Sequence, residues 1–196
     1  MRIGLTAQGR AFLRSRSMPG HNPSLPSANP IAAGERLVSI NIRPADPGDV
    51  DAILAFIRGL ARYEHAEKEV VATTADLDAA LFGANAKVHC LIAETGNTSV
   101  GCAIYFYNFS TWTGQYGIYL EDLFVEEAHR GAGAGLALMQ ALATIAIDEG
   151  CTRFEWSVLD WNQPSIDFYE RLGAAAQSEW IGYRMSGDVL AQLAAL

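Results

Sequence analysis

The stretch from Tyr116 to Asp148 restricts the fold more than any other. An apolar strand, Tyr116 to Val125, passes through Glu126 to His129 into Arg130-Gly131-Ala132-Gly133-Ala134-Gly135 and then straight into a helix. Glycines let successive backbone N–H groups converge on an anion without Cβ obstruction, and the helix N-terminus adds partial positive charge. An anion site is expected there. Spacing removes two nucleotide loops from consideration. A Walker A loop ends in Gly-Lys-Ser/Thr, whereas Leu136 follows Gly135. The dinucleotide pattern G-x-G-x-x-G would need glycine at Leu136 or Leu138, depending on the starting glycine. A glycine turn that merely begins a helix remains open, so its neighbours decide its meaning.

Before the turn, Leu37 to Arg43 suit a short strand ended by Pro44. Asp46 then offers an N-cap with Pro47 at the first helical position, and Val50, Ile53, Leu54, Ile57, Leu60 and Ala61 recur at helical spacing. Thr73 or Thr74 can cap a shorter helix through Phe82, with Gly83 past its end. Val88 to Glu94, a Gly96-Asn97 turn, Ser99 to Phe109 and Tyr116 to Val125 read as an antiparallel meander. A helix from Gly133 to Asp148 stops at Gly150. Arg153 to Leu159 reads as a strand, Pro164 to Leu172 as a short helix, Ala175 to Met185 as a final strand and Asp188 to Leu196 as a last helix. The expected fold is α/β of the α+β type: a mixed, mostly antiparallel sheet with helices on both faces.

Residues 1–36 carry Pro19, Pro23, Pro26 and Pro30 among Ser, Asn and Gly, which cannot sustain a periodic apolar face. They read as a flexible extension of transit-peptide-like composition, and residues 37–196 as one catalytic domain. Net charge is −8. An acidic surface repels nucleic-acid phosphates and concentrates cations, which disfavours polyanions and favours amine substrates. No apolar run approaches the length of a membrane span. Three cysteines, Cys90, Cys102 and Cys151, have no metal-ligand spacing, nor do the four histidines. No metal is expected, and a reducing, cytoplasmic setting is the simple reading.

With its neighbours the turn resembles that of the GNAT superfamily of acyl-CoA-dependent N-acetyltransferases, where an R/Q-x-x-G-x-G/A turn binds the CoA pyrophosphate. Arg130, Gly133 and Gly135 occupy its positions. Ile42-Arg43-Pro44, Leu60 to Glu64, Tyr119 to Val125, Trp161 to Ser165 and Phe168 to Ala174 are similar to the diamine acetyltransferase branch, which includes the spermidine/spermine and thialysine enzymes. The resemblance spans Val38 to Arg184. It implies acetyl-CoA as co-substrate, with Gly131, Ala132, Gly133, Ala134, Gly135 and Leu136 at the phosphates. Leu123, Phe124, Val125 and Asn162 would then lie along the pantetheine arm, and a homodimer is implied.

Acetyl transfer needs a neutral amine, and a primary amine of pKa about 10.4 costs roughly 4 kcal/mol to deprotonate near neutrality unless a base assists. Glu121, in an apolar strand just before the turn, is the candidate base. Asp122 alternates to the opposite face unless a bulge intervenes; the resemblance implies one in this strand. Tyr169 could be a core aromatic at helical spacing, but the resemblance makes it the general acid for the departing thiolate. Asn162 could be only a helix cap, and Trp156 and Trp161 read as packing residues. Tyr63 and Glu64, with Glu121, match the branch's substrate-contacting positions. The branch's acids before a Trp-Arg pair are displaced here, since the chain reads Glu179-Trp180-Ile181-Gly182-Tyr183-Arg184. The expected activity is acetyl transfer to a small cationic amine by direct attack in a ternary complex. A protein lysine or N-terminal acetyltransferase and a non-catalytic CoA-binding module are the alternatives.

Overall fold

A computed structural model describes residues 39–196. The extension expected over residues 1–36 lies outside them, as does the start of the first expected strand. Strand β1 (Ile40–Pro44) leads through a turn at Pro47–Asp49 to helix α1 (Val50–Tyr63) and helix α2 (Thr74–Phe82). Strands β2 (Val88–Thr95), β3 (Thr98–Ser110) and β4 (Gln115–Val125) follow, then helix α3 (Ala134–Asp148), strand β5 (Phe154–Trp156), helix α4 (Gln163–Arg171) and helix α5 (Asp188–Ala194). The sheet order is β1-β2-β3-β4-β5, antiparallel up to β4 and parallel between β4 and β5. Pro44 is accommodated because β1 is an edge strand.

Alternating strand residues build a core on each face. Cys90, Ile92, Cys102 and Ile104 pack against Ile53 and Phe56 of α1. Leu91, Ala103, Tyr105, Ile118 and Leu120 pack against Leu138, Met139 and Leu142 of α3. Asp46 and Thr73 each close a capping box, with Asp49 and Asp76 as reciprocal partners. The buried Asp49 also receives Arg43 through both carboxylate oxygens, at 2.6 and 2.8 Å, while Arg43 Nε donates to Glu94 at 2.8 Å. This cluster ties the start of α1 to β1 and β2 and so aims the far end of the helix, Tyr63, at the sheet.

Two expected strands are corrected. The strand foreseen from Arg153 to Leu159 shrinks to Phe154–Trp156, and the one foreseen from Ala175 to Met185 does not form. A strand is stable only when its backbone groups find a partner, and β5 offers three paired residues before it diverges from β4. The C-terminal segment keeps apolar side chains at the surface, Trp180 at 70% and Tyr183 at 91% exposure.

Candidate active site

The glycine turn adopts the geometry its sequence calls for. Gly131 and Gly133 have φ of 78° and 95°, left-handed values that penalise any Cβ, and Gly133 is the residue from which α3 starts. Ala137 N–H closes the first helical bond, to Gly133 O at 2.9 Å. The six preceding N–H groups, Gly131 to Leu136, donate to no acceptor among the described residues. Six free donors around a helix N-terminus make a cradle that can accept an anion. Gly135 has no neighbour closer than 3.9 Å to the position of a Cβ, so packing within the protein does not require a glycine there.

The strand feeding the turn is bulged and splayed. Ile104 faces Asp122 and Tyr105 faces Leu120, which leaves Glu121 without a cross-strand partner. The implied bulge is present. Leu120 and Leu123 both pack in the α3-side core, while Asp122 lies opposite Ile104 on the α1 side; the extra residue therefore turns Glu121 and Asp122 toward the same, α1 side of the sheet. Pairing with β5 ends at Leu120 and Trp156, so the backbone of Glu121 to Val125 is unpaired on that side and open to a ligand.

Three carboxylates gather here. Asp122 is largely buried, and burial, with the charges of Glu121 and Glu64 behind it, pushes its carboxyl up to about 6. Glu64, at the C-terminal end of α1, is likewise raised by burial. Glu121 is the exposed member. Its exposure and the burial of its neighbour were not readable from the strand alone.

On the opposite flank Tyr169 packs its ring 4.9 Å from Trp156 and 5.3 Å from Phe168. Burial raises its phenol, which therefore stays protonated across the neutral range. Asn162 is buried and caps α4 through Oδ1, which also accepts from Tyr63 Oη at 2.9 Å. The capping reading of Asn162 is thus realised, with its amide nitrogen left free to donate. Arg130 donates through Nε to Val125 O at 3.0 Å and lays its guanidinium 5.1 Å from the Tyr63 ring and 5.8 Å from Phe124. Trp161 stacks with His65 and lies tilted against the Tyr63 ring. Tyr63 is the hub that joins the cradle, α1 and α4, a role with no sequence signal because its partners are remote in the chain.

Comparison with known proteins bears on this arrangement. Residues 52–174 match the acetyltransferase (GNAT) family. The chain belongs to the GNAT acetyltransferase family. The matched span of the GNAT domain runs from α1 through the bulge, the glycine turn and α4. The chain is 39% identical over 169 residues to thialysine N-epsilon-acetyltransferase of Sus scrofa, covering 81% of this chain and 99% of that protein. It is 36% identical to the human spermidine/spermine N(1)-acetyltransferase-like protein 1, over 78% of this chain and 23% of that protein. An integron cassette protein from the mobile metagenome of V. cholerae superposes with a TM-score of 0.68 at 31% identity, covering 80% of this chain and 98% of that one. GNAT acetyltransferases use acetyl-CoA as co-substrate.

Proposed function

We propose that the protein transfers an acetyl group from acetyl-CoA to a primary amine of a small cationic substrate, a diamine, polyamine or lysine-like amino acid, by direct attack in a ternary complex. The observation that carries this reading is the gathering of Glu64, Glu121 and Asp122 beside the bulge, directly ahead of the anion cradle. Carboxylates attract an ammonium group, and a proton must leave it before it can attack. Glu121, exposed at the bulge, takes that proton through a water. Asp122, with a proton affinity near neutrality, is the second acceptor of a coupled set.

Acetyl-CoA supplies the thioester. Gly131 to Leu136 hold its phosphates, the free edge of Leu123, Phe124 and Val125 and the Asn162 amide orient its arm, and Tyr169 donates a proton to the leaving sulfur. Direct attack is supported by the cysteines. Hydrogen bonding to Cys90 and then burial raise the Cys102 thiol well above its usual range, so it offers no thiolate to carry the acetyl group.

A homodimer is supported by the unpaired C-terminal segment, whose Trp180, Ile181 and Tyr183 are exposed. A second copy would give it a strand partner. The three free cysteines favour a reducing compartment such as the cytoplasm.

The test is release of free thiol from acetyl-CoA with a panel of diamines, polyamines, thialysine, amino acids and peptides. No release with any of them, despite acetyl-CoA binding, would defeat the proposal. Tyr169→Phe is expected to lower kcat at least ten-fold with little change in acetyl-CoA affinity, and unchanged turnover in a folded variant would refute the acid role.

A further inference from the structure

The polar groups on the α1 side of the sheet extend beyond Glu121 and Asp122. Cross-strand partners share a sheet face, so Phe106 and Tyr119, Asn108 and Gly117, and Tyr119 and Glu155 all lie on the α1 side with Asp122. Alternation along β5 adds Arg153 and Ser157 to that side. These polar groups are joined to one another. Tyr119 Oη and Ser157 Oγ are 2.9 Å apart, Asn108 Nδ2 donates to Glu155 Oε2 at 2.7 Å, and Arg153 Nε lies 2.9 Å from the same oxygen. Arg153 Nε also donates to Asn108 Oδ1 at 3.2 Å, and Nη2 donates to Phe109 O at 3.3 Å.

Gly117 shows that this is a built arrangement. A glycine weakens a strand interior, yet a Cβ here would collide with Arg153 Cγ and Asn108 Oδ1. The missing side chain is what lets Arg153 cross β4. Once these bonds are made, Glu155 Oε1 and Arg153 Nη1 have no partner among the described residues. The Arg153 and Glu155 side chains remain 35% and 41% exposed. A carboxylate oxygen and a guanidinium nitrogen without a protein partner therefore stand side by side on the α1 side of β5.

We propose that Arg153 and Glu155 form the subsite for the α-amino-acid end of the acceptor. Glu155 Oε1 receives the α-ammonium and Arg153 Nη1 the α-carboxylate, while the side-chain amine meets Glu121 and Asp122. The spacing agrees. Glu155 lies beside Tyr119 on the neighbouring strand, about 5 Å across and two residues, about 7 Å, along β4 from Glu121, or roughly 8 Å in all, which the side chains at both ends close. A lysine-like side chain spans about 6 Å from its α-carbon to its terminal nitrogen. A polyamine would instead bring a second ammonium to this place, against the Arg153 charge and with no carboxylate to offer its free Nη1. Arg153 is thus a specificity-determining residue, and the substrate class is an α-amino acid with a terminal amine. This rests on the acetyl-transfer reading above.

The test compares kcat/KM for L-lysine and S-aminoethyl-L-cysteine with that for 1,5-diaminopentane, which keeps the reach but lacks the carboxylate, and with spermidine. The amino acids should exceed 1,5-diaminopentane at least ten-fold, and Arg153→Gln should cut that ratio ten-fold or more. Glu155→Gln should lower kcat/KM for all the amines, since each brings an ammonium to Oε1. If Arg153→Gln does not fold, Arg153→Lys carries the same test, because it keeps the charge and loses the planar fork. Turnover with an unchanged ratio in the folded Arg153 variant, or a parent preference for 1,5-diaminopentane or spermidine, overturns the subsite alone. No thiol release with any amine overturns the acetyl-transfer reading and the subsite with it.

Discussion

Replacing Asp122 with asparagine should stabilise this protein while impairing it. The Asp122 carboxyl is raised from 3.8 to about 6, first by burial and then by the charges of Glu121 and Glu64. An acid raised in this way binds its proton more tightly in the folded state, so ionisation opposes folding. The penalty is absent below about pH 3.8, grows as pH rises through the unfolded and then the folded value, and is complete above about pH 7. A shift of about two units corresponds to about 3 kcal/mol. Asparagine keeps the shape without the charge. In urea titrations the variant should exceed the parent by about 2–3 kcal/mol at pH 7.5 and by less than about 1 kcal/mol near pH 4. Its kcat/KM for an amine should fall over the same series. An equal stability difference at the two pH values, or a variant less stable at pH 7.5, would refute the reasoning.

Gly133→Ala places a Cβ on a residue at φ 95° and should cost about 1–2 kcal/mol of stability, read from the urea midpoint, while weakening acetyl-CoA binding measured by titration calorimetry. Arg43→Leu leaves the buried Asp49 without its bidentate partner; a loss of about 3 kcal/mol is expected, and a loss below about 1 kcal/mol would mean that the cluster does not brace α1.

Much of the architecture is legible in local sequence because local forces decide it. The cap at Thr73, the stops at Gly83 and Gly150 and the alternating strands appear where the pattern places them, while Asp46 caps the single turn Pro47–Asp49 ahead of α1, which itself starts at Val50. The failures share one cause. The short β5 and the absent strand after Ala175 depend on whether another strand lies alongside, and strand propensity in a segment cannot state that. Asp122 and Glu121 are adjacent and chemically alike, yet one is largely buried and the other exposed. That difference arises from the bulge opposite Ile104 and from Glu64 at the end of α1.

By itself the sequence determined the order of elements, the anion turn and the family to which the residues around it point, since glycine conformation, helix capping and motif spacing are properties of short stretches. Only the tertiary structure decided that Asp122 and Glu64 carry the raised proton affinity, that Tyr63 joins Arg130 to Asn162, and that Arg153 crosses Gly117 to stand beside Glu155. Burial and electrostatic field are sums over neighbours, and here those neighbours come from strands and helices far apart in the chain.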